Sequence, residues 1–485
     1  MSKVIVIGGG IGGLATAIRL AAQNKEVVLF EKNKTLGGKL AEFSESGYRF
    51  DMGPSLFTMP EYFEDLFKAA NKNLKDYLSY KKLNISCTYY FADGKSFVFY
   101  NDKVKLEKEL KEKLNLPIKP ITKYLEKSKK LYQGAGKLFI ENSLHKRSTY
   151  FSKQALKALP QLINPSNLKS LHRKNKREFN EPKLVQLFDR YATYNGSSPY
   201  KTPAMMSVIP HLEHNIGAFF PKGGMFGIVT ALEQLAEELG VDIRKGESVD
   251  ALDTSGKLIQ SAVINGQEIK GDLFVLNMDI ALVYKQLLNE NDRYQKEIKK
   301  ERSSSGLVFY WGMNRSFPEL SLHNILFSED YEAEFTQIFK GKKVPTNPTI
   351  YINISSKEAP EDAPLGCENW FVMINTPSNI DLSSEKISAI RNTVLSMINT
   401  QLKLDVESHI VVEQLLTPND IKERSMSMHG ALYGTASNSA MSSFRRHPNF
   451  SKQYKNLYFV GGTVHPGGGI PLCLNSAKIV ADLLC

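Results

Sequence analysis

Apolar residues in this chain change their period from segment to segment, and each change marks an expected element. Residues 4–7 are consecutive apolar, β-branched residues, the pattern of a parallel strand buried on both faces. Glycines over 8–13 break that run. An Ala/Leu-rich helix is expected over 14–23, followed by a second buried strand at 27–30. Helical spacing returns at 61–70 (Phe63, Leu66, Phe67 and Ala70 on one face), at 226–239 (Leu232, Leu235, Ala236 and Leu239) and at 384–402 (Ile387, Ile390, Val394 and Ile398). Gly240 stands just beyond the second of these, where a helix end favours glycine. A charged helix at 103–116 is stopped by Pro117 and Pro120. Residues 87–100 read as a hairpin turning at Asp93-Gly94. Short strands follow around Ile243, Val263 and Phe274, with Asn265-Gly266 turning between two of them. From 307–311 to 370–374 the chain is aromatic and β-branched, suited to an antiparallel sheet. Such a sheet either fills a core or walls an apolar pocket, and the pattern is the same for both. A last buried strand at 456–460 runs into a glycine loop and then a helix at 474–484.

One helical pattern suggests more than packing. Over 151–163, Phe151, Ala155, Leu156, Leu159, Leu162 and Ile163 form one stripe with Lys153 and Lys157 on the other side, interrupted by Pro160. The distribution of charge sharpens this reading. Net charge is +11, and residues 119–178 alone hold 15 Lys/Arg against 3 Asp/Glu, so the rest of the chain is nearly neutral. A basic amphipathic helix in that setting suits an anionic membrane surface, with its apolar face in the acyl boundary and its cations at the headgroups. Core packing beneath a solvated charged face is the competing reading. The expected partner is an anionic membrane and not nucleic acid.

Composition changes the picture in three places. A length of 485 residues exceeds one ordinary core, so at least two domains are expected. Cys87, Cys367, Cys473 and Cys485 form no C-x-x-C pair, which argues against a zinc site or disulfide framework and fits a reducing cytoplasm. No apolar run approaches the ~18 residues that span a bilayer. A first strand beginning by Val4 leaves no room for a cleavable signal peptide. The expectation is a cytoplasmic protein, peripheral on the inner face of the membrane. His211 and His214 have a spacing that suits a metal pair, but Pro210 and Gly217 bracket them and no further ligand cluster is visible. They are read as structural or supporting, and no metal is expected.

Candidate chemistry gathers at the two glycine-rich strand ends. Gly8, Gly10 and Gly13 match G-x-G-x-x-G: the first allows the tight turn, the second lets backbone approach a pyrophosphate, the third packs helix on strand. The helix N-terminus beyond them faces the phosphates, and Glu31, ending the second strand, is placed for the ribose hydroxyls. An acid there argues against a 2′-phosphate. At the other end of the chain, Gly461-Gly462-Thr463 and the loop 466–471 repeat the arrangement of strand, glycine loop and helix. Two such units suggest a dinucleotide clasped from both sides.

The pair Gly37-Gly38 with Lys39, just past the ribose acid, resembles the FAD-binding half of amine-oxidase-like flavoproteins, and the cofactor this implies is FAD. In combination with residues 50–55, 191–199, 220–224 and 456–471, the chain is similar to the phytoene-desaturase family of bacterial-type carotenoid desaturases. Residues 53–60 and 211–218 look like the branch that desaturates 1-hydroxycarotenoids at the 3,4 position. The resemblance implies an α/β fold: a Rossmann-like FAD-binding domain of the amine-oxidase/glutathione-reductase type (1–85, 215–290 and 425–485), a mixed-sheet substrate domain (86–116 and 291–424) and a helical, basic, membrane-facing region (117–214). It implies cofactor contacts from Gly8, Gly10, Gly12, Gly13, Glu31, Lys32, Gly38, Lys39, Gly53, Pro54, Ser55, Gly462, Thr463, Gly468, Ile470 and Pro471. The implied chemistry introduces a C=C bond into a long polyene, with a hydride passing to flavin and the electrons leaving to oxygen or a quinone. A base is needed for the proton. His323 is the candidate, with a structural histidine as the alternative. A phytoene desaturase, a carotenoid isomerase or saturase, an amine-oxidase-like enzyme and a non-enzymatic membrane-surface flavoprotein remain open as rivals.

Overall fold

The structure, a computed structural model, describes residues 2–439, 442 and 445–485. Five parallel strands pair in the order Leu457–Phe459, Leu273–Leu276, Lys3–Ile7, Glu26–Glu31, Asp242–Lys245. Successive side chains alternate between the faces of this sheet, and both faces are covered. Val4, Val6, Val27, Leu29 and Val275 pack with residues of the helices Ile11–Ala21, Gly227–Glu238 and Ile470–Leu483. Ile5, Ile7, Val28, Phe30, Phe274 and Leu276 turn the other way, onto Leu252, Ile259, Ala262 and Ile264 of a three-stranded antiparallel sheet. Burial on both sides explains why these runs are unbroken rather than alternating.

A seven-stranded sheet has the order Ile410–Leu416, Ser305–Met313, Glu368–Thr376, Ile350–Asn353, His323–Leu326, Ile85–Tyr90, Ser96–Tyr100. It is antiparallel except where Ile85–Tyr90 runs parallel to His323–Leu326. The aromatic strands answer the question of core against pocket by doing both. Leu307, Phe309, Trp311, Trp370, Val372 and Ile374 face the helix Ser384–Leu402, meeting Val394, Leu395 and Ile398. The alternate residues Val308, Phe371 and Met373 line a cavity on the opposite face.

Local differences from the sequence reading have local causes. The charged helix ends at Leu114, where Asn115 turns left-handed at φ 54°. The last helix starts at Ile470, four residues early, with Pro471 in its first turn, where a missing N–H costs nothing. Along the chain between the strands Ser96–Tyr100 and Phe219–Pro221 come the helices Lys119–Leu131, Lys153–Leu162, Leu171–Glu178 and Pro182–Asp189. Ser152 caps the second of these by accepting from the Ala155 N–H. Its stripe is split: Ala158 is buried and Ala155 and Leu162 join a neighbouring core, whereas Phe151, Leu156 and Ile163 are 87%, 67% and 67% exposed.

The first turn is the tightest point of the parallel sheet. A Cβ on Gly13 would lie 2.0 Å from the Gly8 carbonyl oxygen. Gly13→Ala is therefore expected to push the helix Ile11–Ala21 off its strand and destabilise the protein by more than about 2 kcal/mol, read as a lowered thermal midpoint.

Candidate active site

The C-terminal ends of the parallel strands and the two glycine loops border a cleft. Of the expected residues, Gly8, Gly10, Gly12, Glu31, Lys32, Gly38, Lys39, Pro54, Gly462, Thr463, Gly468 and Ile470 line it. Their roles differ. A Cβ on Gly10 would meet only the Asn277 Nδ2 at 3.0 Å, with no backbone nearer than 3.9 Å, so the space beside it is free for a ligand. On Gly12 a Cβ would sit 3.2 Å from the Gly461 Cα, which shows that bareness there serves the approach of the second loop. Gly13 acts from behind the wall, whereas Gly53 lines the adjoining cavity, where a Cβ would fall 1.9 Å from the Lys39 carbonyl oxygen. Ser55 and Pro471 lie on the adjoining cavity instead.

Charged groups shape the rim. The Glu31 carboxylate accepts from the Gly9 N–H at 2.7 Å and from both the N–H and the Nδ2 of Asn33 at 2.8 Å, tying this edge of the cleft to the glycine turn. The helix Ile11–Ala21 has Gly10 at its cap and no side chain on its first amides, which leaves them to an anion. Lys32 Nζ donates to the Glu423 carbonyl, and Lys39 Nζ donates to the carbonyls of Leu432 (2.6 Å) and Ala431 (3.1 Å). Burial lowers the Lys39 pKa to about 8. Thr463 Oγ1 accepts from the Ile280 N–H at 3.1 Å. Sequence reading missed Asn277, whose Nδ2 donates to the Gly8 carbonyl at 3.1 Å, and the buried ion pair of Asp279 with Arg302 at 3.1 Å. Their signal was position: Asn277 and Asp279 directly follow the strand Leu273–Leu276, at the strand ends where ligands gather. The donor set, the uncapped helix and the bare glycines fit a dinucleotide.

At Gly38, Lys39, Pro54, Leu432, Tyr433 and Ile470 the cleft shares its wall with a second cavity. Val308, Ile325, Phe371, Met373 and Leu416 make most of that cavity apolar. A third cavity, among Met59, Leu138, Phe139, Leu162, Met206 and Leu212, meets the second at Thr58, Tyr194, Glu213 and Pro471. Leu162 ends the half-exposed helix, so apolar surface continues from that helix towards the cofactor cleft.

A buried polar cluster interrupts this apolar path. Glu213 accepts from Arg190 Nη2 and the Tyr191 hydroxyl, each at 3.1 Å, and from the Tyr194 hydroxyl. Arg190 also donates to the hydroxyls of Tyr89 (2.9 Å) and Tyr194 (3.0 Å) and stacks 4.7 Å from the Tyr191 ring centroid. Burial alone would raise the Glu213 pKa, but the Arg190 charge, His214 and the tyrosine hydroxyls hold it below the ordinary value. His214 lies 2.5 Å from the Tyr191 hydroxyl and 3.3 Å from Ser86 Oγ, and burial lowers its pKa to about 4. His211 Nδ1 pairs with Asn215 Nδ2 at 2.8 Å. Among the described residues no group of His, Cys, Asp and Glu is arranged to hold a metal ion. The two histidines frame Glu213, which the sequence reading passed over between them.

His323 borders the second cavity, buried, with a pKa lowered by burial to about 4. Its Nδ1 lies 2.8 Å from the Tyr351 hydroxyl and 3.1 Å from Asn353 Nδ2. The same amide nitrogen of Asn353 donates to the Leu322 carbonyl at 3.1 Å, which fixes it as a donor and Nδ1 as its acceptor. The proton of the neutral ring then sits on Nε2. As arranged, His323 presents a donor N–H to its surroundings, and its accepting nitrogen is already taken.

Comparison with known proteins covers the whole chain. It is 48% identical to a 1-hydroxycarotenoid 3,4-desaturase of Flavobacterium sp. (strain P99-3), across 100% of this chain and 99% of that protein. Identity is 34% to a 4,4'-diapolycopene oxygenase of Methylomonas sp, across 99% and 97%. A solved structure of putrescine oxidase bound to putrescine superposes with a TM-score of 0.65 at 13% identity, covering 100% of this chain and 98% of that one, a likeness of fold.

Replacing Gly10 by valine is expected to leave a folded protein that has lost its yellow cofactor, because the side chain enters the cleft without striking backbone. Flavin absorbance and circular dichroism on the same sample check this. Bare glycines, uncapped helix and strand-end acid form a site for FAD. With the sequence pattern described as "Flavin containing amine oxidoreductase" matching residues 11–485, the chain belongs to that family of flavoenzymes.

Proposed function

We propose that this protein is an FAD-dependent carotenoid desaturase acting near the end of a 1-hydroxylated polyene, at the 3,4 position. The observation that carries the reading is the junction of the dinucleotide cleft with adjoining, mostly apolar cavities, in a chain 48% identical throughout to a desaturase of that name. When bound, FAD supplies the two-electron acceptor for the hydride. The chain's own contribution is positional: Gly8, Gly10, Gly12, Glu31 and Lys39 border the dinucleotide, while Val308, Phe371 and Met373 hold the polyene and exclude water. Electrons then pass to oxygen or a quinone. Expression in a carotenoid-producing host is expected to yield a pigment lighter by two hydrogens per step and absorbing at longer wavelength. A product that gains oxygen would favour the oxygenase reading suggested by the Methylomonas relative, and unchanged pigment would overturn both.

The protein works at the surface of an anionic membrane. No helix among the described residues is long and apolar enough to cross one. Support for surface attachment comes from the exposed Phe151, Leu156 and Ile163 beside the exposed Lys153 and Lys157, on a helix whose inner edge leads to the cavities. Each cation near such a surface contributes on the order of 1 kcal/mol, fading beyond a Debye length of ~8 Å. Lys174, although in the basic stretch, is withdrawn from it: its Nζ donates to Ser207 Oγ at 2.6 Å and lies over the Tyr124 ring. Co-sedimentation with anionic vesicles is expected to weaken with salt. It should be lost when Phe151, Leu156, Lys153 and Lys157 are all changed to Glu, with FAD retained. Wild-type sedimentation by that variant would remove this segment as the anchor.

A further inference from the structure

Two buried N–H groups, on residues that border the second cavity, have no acceptor. Arg190 Nε and His323 Nε2 are buried without a hydrogen-bond partner, and both residues border the cavity that adjoins the cofactor cleft. A buried donor without an acceptor is costly, so two around one cavity mark a place where a ligand atom belongs. Beside them is an acceptor, the carboxylate of Glu213. A second carboxylate would be repelled by Glu213, and an ammonium by Arg190. A hydroxyl both accepts and donates without charge, and satisfies all three groups.

We infer that Arg190, Glu213 and His323 bind a hydroxyl group carried on the end of the polyene, its oxygen accepting from the arginine or histidine N–H and its hydrogen donated to the carboxylate. This rests on the desaturase reading above and adds to it the residues that choose the substrate. The geometry of the substrate agrees. In a 1-hydroxylated end group the 3,4 bond begins two carbons from the hydroxylated carbon, so the recognised group and the reacting bond must occupy adjoining spaces. The second cavity and the cofactor cleft share Gly38, Lys39, Pro54, Leu432, Tyr433 and Ile470, which makes them adjoining. The remainder of the polyene extends from the cleft into the third cavity, which borders the cleft at Gly468 and Gly469. His323, on this view, recognises the substrate rather than taking its proton.

The test uses the full, FAD-loaded chain in anionic liposomes with two substrates: a 1-hydroxylated carotenoid and the same carotenoid with hydrogen in place of the hydroxyl. Wild type is expected to prefer the hydroxylated one by more than ~100-fold in kcat/KM, since a site built around a hydroxyl rejects an analogue lacking it. Glu213→Gln and His323→Phe are each expected to cut that ratio at least ~10-fold. Bound-flavin absorbance and thermal melting report whether each variant folds. Should Glu213→Gln lose its flavin, His323→Phe and the wild-type ratio decide the matter. Equal rates of wild type on both substrates, or variants that slow both substrates in the same proportion, overturn the inference and leave the desaturase reading standing. Failure of wild type to desaturate either substrate overturns that reading, and this inference with it.

Discussion

The close approach of two glycine loops around Asn277 is the constraint on which the cofactor cleft depends. Asn277 Nδ2 holds the Gly8 carbonyl, and a Cβ on Gly461 would come within 2.4 Å of Asn277 Oδ1. A Cβ on Gly8 would fall 2.5 Å from the Asn277 carbonyl oxygen. Three strand ends from distant parts of the chain can converge only because side chains are missing where they meet. The cleft is thus what remains when backbone packs against backbone, and the free amides at the start of the helix Ile11–Ala21 suit it to phosphate.

From that constraint follows the placement of the rest. The seven-stranded sheet turns one face to the helix Ser384–Leu402 and leaves the other, with Val308, Phe371 and Met373, to the cavity beside the cleft. Packing density on the first face fixes the sheet. The second face is free of that duty and shapes a space. Tyr310 links the two regions, its ring packing edge-on to Phe43 and Phe50 at 5.1 and 5.7 Å. Through these contacts the strand Tyr48–Asp51, just ahead of the Gly53 turn, is seated on the sheet.

The ionic cluster works against stability in isolation. Burying Arg190 and Glu213 removes two charges from water, and their attraction offsets this only because tyrosine hydroxyls satisfy the remaining valences. Removing one partner from such a pair typically costs about 3–5 kcal/mol. Apolar residues would fill the same volume more cheaply, so its presence on a cavity wall is best understood as functional.

Sequence by itself determined the parallel sheet and the glycine loops that line the cleft, because both rest on local rules. Unbroken β-branched runs mean strands covered on two sides, and a glycine after such a run means backbone that must come close to something. Gly8, Gly10, Gly12, Glu31 and Gly462 were legible for that reason, and all line the cleft. The stripe over 151–163 was legible as amphipathic, but not which edge of it would be covered. Only the tertiary structure decided that Gly13 supports the wall from behind, that Gly53 borders the adjoining cavity, that Lys174 turns inward, and that His323 offers a donor. Those outcomes depend on atoms brought together from far along the chain: the Gly53 position meets the Lys39 carbonyl, Lys174 meets Ser207, and His323 meets Asn353. Arg190 and Glu213 stand 23 residues apart with no shared motif, and their pairing exists only because a helix end and a buried turn were folded to the same cavity wall. Periodicity reports the surface a residue faces; the fold alone supplies its partner.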